Sequence, residues 1–217
     1  VRIFAIADLH GNYSKIVGLL EKAGKIDLAL VAGDITNFGP DEKVIELLEY
    51  FDVPVLAVPG NCDHPSILEM LESSNAVNLH HKSHAIGDTV FIGSGGSNPT
   101  PFCTPFEMQE CDIASGIEEM IVAAESNNMK VVLLTHAPPY GILDEVPSGH
   151  VGCTSFLAFI GRVQLIVCGH IHEARGVVRT EGTVIVNPGM AASGNAALIE
   201  MRDDGQEHKI EVQFLHI

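Results

Sequence analysis

The sequence predicts an α/β fold with mixed β-sheets, and three observations carry the prediction. Apolar runs of strand length recur along the 217 residues, at "VRIFAIA" (1–7), "DLALVAG" (27–33), "VPVLAV" (53–58), "KVVLLT" (130–135) and "VQLIVCG" (163–169). Segments with helical spacing separate the early runs, which is the pattern of βαβ units and a largely parallel core. The middle and the end instead carry paired strand-like stretches around turn residues, so more than one sheet is expected.

The elements follow in order. "SKIVGLLEKAG" (14–24) places Ile16, Val17, Leu19, Leu20 and Ala23 on one helical stripe. "DEKVIELLEYF" (41–51) does the same with Val44, Ile45, Leu47, Leu48 and Phe51 after Pro40. Hairpins are expected within 75–96, 174–189 and 195–217, turning near Gly87-Asp88, Glu181-Gly182 and Asp203-Asp204-Gly205. Residues 97–112, "SNPTPFCTPFEMQECD", have three prolines and no clear period, and read as a loop leading to a helix near 107–125. Cys103 and Cys111 match no common zinc spacing and are expected to be structural. There is no internal repeat, low-complexity tract or linker, so residues 1–217 read as a single domain.

Composition narrows the function. The formal net charge is −16, from 12 Lys and Arg against 28 Asp and Glu. Such a surface repels polyphosphate backbones, which disfavours long nucleic acid as a partner. Solubility alone is the plain reading of the acidity, but any anionic ligand will need positive charge that the side chains do not supply. Metal ions could supply it. Mean hydropathy is +0.24, yet no stretch approaches the roughly 20 apolar residues that cross a bilayer, so no membrane partner is expected. The first residues read as a core strand and not as a signal peptide. Five cysteines in no framework spacing favour a reduced, cytoplasmic setting.

The chemistry lies at the ends of the apolar runs. Asp8 and His10 follow the first, Asp34 the second, Asn61 the third, His136 the fourth, and His170 with His172 the fifth. In α/β sheets the C-terminal strand ends are where ligands bind. Residues two apart in extended chain point the same way, so Asp8 with His10, and His170 with His172, can each face one site. Any one of these residues alone is more often a turn carboxylate or a surface histidine than a ligand; five strand ends together are not explained that way. Seven donors exceed one tetrahedral zinc. They suit two ions about 3.5–4 Å apart, the arrangement used on phosphate esters, with Asp34 the natural bridge because it alone occupies its strand end. Imidazole mixed with oxygen favours transition metals, manganese first, with Fe, Zn, Ni or Co as the other candidates, over Mg or Ca.

The blocks "DLHGN" (8–12), "GDITNFG" (33–39), "GNCD" (60–63), "THAPP" (135–139) and "GHIH" (169–172) resemble, in order, the motif set of the calcineurin-like metallophosphoesterases. The resemblance implies an αββα fold, two mixed β-sheets packed as a sandwich and flanked by helices, with a dinuclear site at the strand ends. It implies Asp8, His10 and His172 on one ion, Asn61, His136 and His170 on the other, and Asp34 between them. It implies hydrolysis of a small phosphate ester, with a metal-bound hydroxide attacking phosphorus; small phosphodiesters are the expected substrates. A weaker likeness of "HVGC" (150–153) and "GHIHEARG" (169–176) to the brain and fetal-type metallophosphoesterase-domain proteins flags His150.

Cys62 departs from the family pattern, which carries a histidine there, proposed to protonate the leaving alcohol or hold the phosphate. A thiol replaces it poorly. Asp63, whose family counterpart pairs with that histidine, is expected to orient its neighbours. His64 and His150 are the substitute proton donors, His64 having helix capping before "PSILEML" as its plainer role. The "GNCD" form resembles both small bacterial and archaeal phosphodiesterases and a trafficking scaffold of the same fold. The alternative to an enzyme is therefore a catalytically weak or inactive metal-binding scaffold acting through protein partners.

Overall fold

Alternation of buried side chains sets the layers of the molecule, a computed structural model that describes residues 1–203 and 208–217. The chain first lays down four parallel strands, β1 (Arg2–Ile6), β2 (Leu28–Ala32), β3 (Val55–Val58) and β4 (Val77–Asn78), side by side. Helices α1 (Ile16–Ala23), α2 (Lys43–Leu48) and α3 (Ile67–Ser73) connect them. It then builds a second sheet from β5 (Lys82–Ile86), β6 (Thr89–Ser94) and, after α4 (Glu110–Ile113) and α5 (Ile117–Ser126), β7 (Lys130–Thr135). A small hairpin of β8 (Glu145–Val146) and β9 (Gly149–His150) precedes β10 (Leu165–Val167), β11 (Gly176–Thr180) and β12 (Thr183–Asn187). Finally β13 (Asn195–Asp203) and β14 (His208–His216) return to the first sheet.

The sheets run β14-β13-β1-β2-β3-β4 and β11-β12-β10-β7-β6-β5. Each has a parallel centre and antiparallel edges, β13 against β1 and β14 against β13, β11 against β12 and β5 against β6. Side chains alternate across each strand. Ile3, Ala5, Leu28, Leu30, Leu56 and Val58 face Phe91, Val132, Leu134, Leu165, Val167 and Val186 between the sheets. The opposite face of the first sheet, with Phe4, Ile6 and Val31, packs on Ile16, Leu19, Val44, Leu47, Ile67 and Leu71 of α1 to α3. That of the second packs Ile92, Leu133 and Ile166 on Ile113, Ile117, Ile121 and Phe156. The result is the helix–sheet–sheet–helix sandwich. Among the described residues no helix is long and apolar enough to cross a membrane.

Three expectations need correction. Val17 and Ile45 are exposed, because the buried faces of α1 and α2 run through Ile16, Leu19 and Ala23 and through Val44 and Leu47, with Leu20 and Leu48 partly buried beside them. The helix expected near 107–125 is two, α4 and α5, broken at Gly116, whose φ of +73° is left-handed. Cys103 and Cys111 are exposed and unbridged, so they support no core. The hairpins at Gly87-Asp88 and Glu181-Gly182 form as expected. β13 and β14 pair along their length, and the turn expected near Asp203-Asp204-Gly205 falls on 204–207, outside the described residues.

Leu134, fully buried between the sheets, tests their packing. Leu134→Ala should cost about 2–5 kcal/mol, read as a lower urea midpoint with an unchanged m-value.

Candidate metal centre

The parallel strands of both sheets end at one rim, and the rim collects the polar residues. β1 leads into Asp8 and His10, β2 into Asp34, β3 into Asn61, β7 into His136, and β10 into His170 and His172. Four of these, Asp8, His10, Asp34 and His170, adopt left-handed backbone with φ of 55°, 47°, 49° and 69°. That conformation is uncommon outside glycine and clusters at functional sites. It turns each chain sharply off its strand so that the side chain faces the rim.

All seven expected ligands come together. Asp8, His10 and His172 each offer a donor atom within 4.8 Å of the others, as do Asp8, Asp34 and His136. His10 Nε2 lies 3.2 Å from His172 Nε2, and His172 Nε2 lies 3.7 Å from Asp8 Oδ1. Asp34 looks both ways: Oδ2 is 3.6 Å from His10 Nε2, and Oδ1 is 3.5 Å from His136 Nε2. Asn61 Oδ1 sits 2.8 Å from His136 Nε2, and the His136 and His170 rings meet edge to face at 5.0 Å. The backbone N–H of His170 donates to Asp8 Oδ1 at 3.1 Å.

Electrostatics follow from this crowding. Burial opposes ionisation of Asp8, but His172 and His136 outweigh it and hold the carboxyl below its ordinary range. Burial depresses His10, with Asp34 pulling the other way. It depresses His170 to about 4, aided by His136. His172 is raised, because it lies against Asp8.

The neighbouring loops are tied by Asp63. Its Oδ1 accepts from Thr36 N (2.7 Å) and Thr36 Oγ1 (2.8 Å); its Oδ2 accepts from Ile35 N (3.0 Å) and Gly60 N (2.8 Å). Burial and the nearby Asp34 push its carboxyl up to about 6 against those hydrogen bonds. Asp63 thus does orient its neighbours, by stapling the Asp34 loop to the Asn61 loop. Gly60 must lack a side chain, since a Cβ there would fall 2.0 Å from Asp34 Oδ1.

The proton-donor candidates separate. Cys62 donates its backbone N–H to Asp34 Oδ1 at 2.8 Å, and its thiol shares a cluster with His10 and Asp34. Burial, then Asp34, pushes that thiol well up. His64 is exposed beside Gly39, and its side chain caps nothing; its backbone carbonyl accepts the Ile67 N–H of α3 at 2.9 Å, which corrects the capping expectation. His150, on β9, is not part of the cluster of donors. Its Nδ1 donates to the wholly buried Asp144 at 2.6 Å, and its ring shares an open groove with Glu173, next to His172.

Sequence reasoning missed Asp144, Thr104 and Glu107. The 97–112 segment reaches the centre: Asn61 Nδ2 donates to Thr104 Oγ1 at 3.0 Å, and Phe106 N to Asn61 O at 3.1 Å. The T-x-x-E spacing of Thr104 and Glu107 was the available signal, since Glu107 accepts the Thr104 N–H at 2.8 Å as a capping-box glutamate does. Asp144 had none.

A family model described as calcineurin-like phosphoesterase matches residues 1–174. The chain belongs to the calcineurin-like phosphoesterases. It is 36% identical over 200 residues to an uncharacterised protein of Methanocaldococcus jannaschii, covering 87% of this chain and 88% of that one. Human metallophosphoesterase domain-containing protein 1 is 44% identical over 61 residues, 26% of this chain and 19% of its own length. A dimetal phosphatase from Danio rerio superposes with a TM-score of 0.72 at 12% identity, over 100% of this chain and 96% of that one. A protein of Thermus thermophilus gives 0.71 at 17%, over 98% and 97%. At such identities the likeness to both structures is one of fold.

A calcineurin-like phosphoesterase holds divalent ions, and the donors here fit them. Asp8 Oδ2 is buried without any hydrogen-bond partner, an expensive state for a carboxylate unless a cation satisfies it. Separations of 3.2–3.7 Å between donor atoms are those of neighbours around one ion bound at about 2.0–2.2 Å. None of the seven is paired with a Lys or Arg among the described residues. Chelation should therefore lower Tm, and Mn²⁺ should restore it. Asp63→Asn sets an amide NH₂ against at least one backbone N–H, whichever way the amide turns, and should cost about 1–3 kcal/mol, measured by chemical denaturation.

Proposed function

We propose that the protein hydrolyses small phosphodiesters at a dinuclear centre. The observation that carries this reading is Asp34, whose two carboxylate oxygens face His10 on one side and His136 on the other. Asp8, His10 and His172 would hold one ion, Asn61, His136 and His170 the other, with Asp34 shared. Bound ions would polarise the phosphoryl oxygens, lower the pKa of the attacking water and neutralise charge in the transition state. Manganese is the first candidate, with Fe, Zn, Ni and Co the others that a mixture of imidazole, carboxylate and amide oxygen accepts.

Charge favours the diester. Asp8 and Asp34 are the only formal charges in the donor set, so two divalent ions leave an excess of two positive charges. A diester with its oxygen nucleophile balances that excess, and a monoester overshoots it by one. No Lys or Arg among the described residues contacts the donors to absorb the difference. The remaining need is a proton for the leaving oxygen. The Cys62 thiol is a weak donor there, and His150 is the better group. Asp144 fixes its Nδ1–H and leaves Nε2 to carry the transferable proton.

Metal-stripped protein titrated with Mn²⁺ should hydrolyse a bis-aryl phosphate with activity that saturates near two ions per chain, and the aryl monophosphate more slowly. No turnover of either with two ions bound would overturn the enzyme reading in favour of a metal-binding scaffold. His150→Ala should cut turnover of alkyl diesters by about 10²-fold or more while sparing nitrophenyl leaving groups; equal losses on both would remove His150 from the role.

A further inference from the structure

Asn61 can serve a metal ion only through its carbonyl oxygen, because an amide nitrogen has no available lone pair. Its surroundings disagree about which way the amide should point. His136 Nδ1 lies 2.8 Å from the carbonyl of Ala32 and so carries a proton, which leaves Nε2 as a lone pair in the neutral ring. That lone pair lies 2.8 Å from Asn61 Oδ1 and, without an ion, would prefer the NH₂ end of the amide. On the other side Asn61 Nδ2 lies 3.0 Å from Thr104 Oγ1.

Glu107 decides between them. Its Oε1 accepts from Thr104 Oγ1 (2.6 Å), Thr104 N (2.8 Å) and Thr100 Oγ1 (2.6 Å). Burial works against this carboxylate, but the hydrogen bonds from Thr100 and Thr104 outweigh it and hold it at about 2. An ionised carboxylate only accepts, and a threonine hydroxyl has one proton to give. Thr104 therefore donates to Glu107 and can only accept from Asn61. The end of the amide facing Thr104 must be NH₂, and the carbonyl must face inward.

We propose that Thr104 and Glu107 are positioning residues for one of the two metal subsites: they polarise a hydrogen-bond relay that locks the Asn61 carbonyl oxygen toward the ion held with His136 and His170. The proposal rests on the dinuclear reading and adds to it the residues that prepare the subsite before the ion arrives. Such supporting partners typically change metal affinity by about 10–100-fold. Part of the loop is held without the Thr104 hydroxyl. Phe106 N donates to Asn61 O (3.1 Å), Ser97 N to Phe106 O (3.2 Å) and Met108 N to Ser97 O (2.9 Å), all through backbone. The relay can thus be cut at the Thr104 hydroxyl while these backbone contacts, and the one from Thr104 N to Glu107, stay in place.

The test is calorimetric titration of metal-stripped protein with Mn²⁺, with manganese EPR to count the free ion. Wild type should take up two ions. Thr104→Val, which keeps shape and loses the hydroxyl, should weaken one step by about 10–100-fold and leave the other unchanged, while Thr104→Ser restores the wild-type isotherm. Glu107→Met, which removes the acceptor that a glutamine would keep at Oε1, should weaken the same step and serves if the valine variant fails to fold. Two unchanged steps in both Thr104→Val and Glu107→Met would overturn the relay, as would a serine variant as weak as the valine one. Fewer than two ions in wild type would overturn the dinuclear reading itself, and the relay with it.

Discussion

His136 crosses from one sheet to the other, and the centre depends on that crossing. It ends β7 of the second sheet, yet its Nδ1–H bonds to Ala32 O at the end of β2 in the first, at 2.8 Å. The approach is possible only because residue 33 is glycine; a Cβ there would lie 2.4 Å from His136 Nδ1. The bond fixes the imidazole tautomer and turns Nε2 toward Asp34 and Asn61. It also ties the two rims together, since the first sheet supplies four of the donors and the second three. A sandwich whose sheets slid past one another by a residue would keep its core and lose its site.

The rim is held under strain. Left-handed backbone at Asp8, His10, Asp34 and His170 costs on the order of 1–3 kcal/mol per residue and persists only where the surroundings over-determine it. They do so here by hydrogen bonds between the loops. Leu9 N and His10 N both donate to Asp34 O at 2.9 Å, Asp8 N donates to Gly33 O at 3.1 Å, and Gly11 N to Ile35 O at 2.9 Å. Asp63 adds four more from the neighbouring loop. The rigid rim keeps Asp8 Oδ2 from relaxing toward a protein donor and leaves it facing the centre. Pre-organised donors of this kind are what a metal site needs, because little must be reordered when the ion binds.

Much of this was legible in the sequence, for a physical reason. Strand ends carry ligands in α/β sheets, so Asp8, His10, Asp34, Asn61, His136, His170 and His172 could be found from the apolar runs that precede them. The alternating layers were legible too, because burial on both faces of the central strands leaves continuous apolar runs. What was not legible depends on contacts between distant loops. Nothing near His150 identifies Asp144 as its partner, and nothing in "TPFCTPFE" announces that Thr104 will meet Asn61. The exposure of Val17 and Ile45 was lost for a similar reason: a short helix offers several stripes, and only the sheet selects one.

The cysteine in the Asn61 loop shows how the metal centre and the proton donor can part company. What position 62 gives the fold is its backbone N–H, which donates to Asp34 Oδ1 at 2.8 Å, and any residue but proline supplies it. The orientation of the shared carboxylate is therefore independent of the side chain there. A change from imidazole to thiol removes a proton source and leaves all seven donors aligned. On the proposed reading, protonation then passes to a loop beyond the second sheet, where Asp144 accepts Gly141 N–H at 2.9 Å and Gly152 N–H at 2.8 Å while holding His150. That carboxylate is anchored by backbone donors and can orient an exposed imidazole without the rim's help. Relocated chemistry requires every donor to stay beside an altered residue 62, because a bound ion needs Asp8 buried and unpaired whichever group protonates the leaving oxygen.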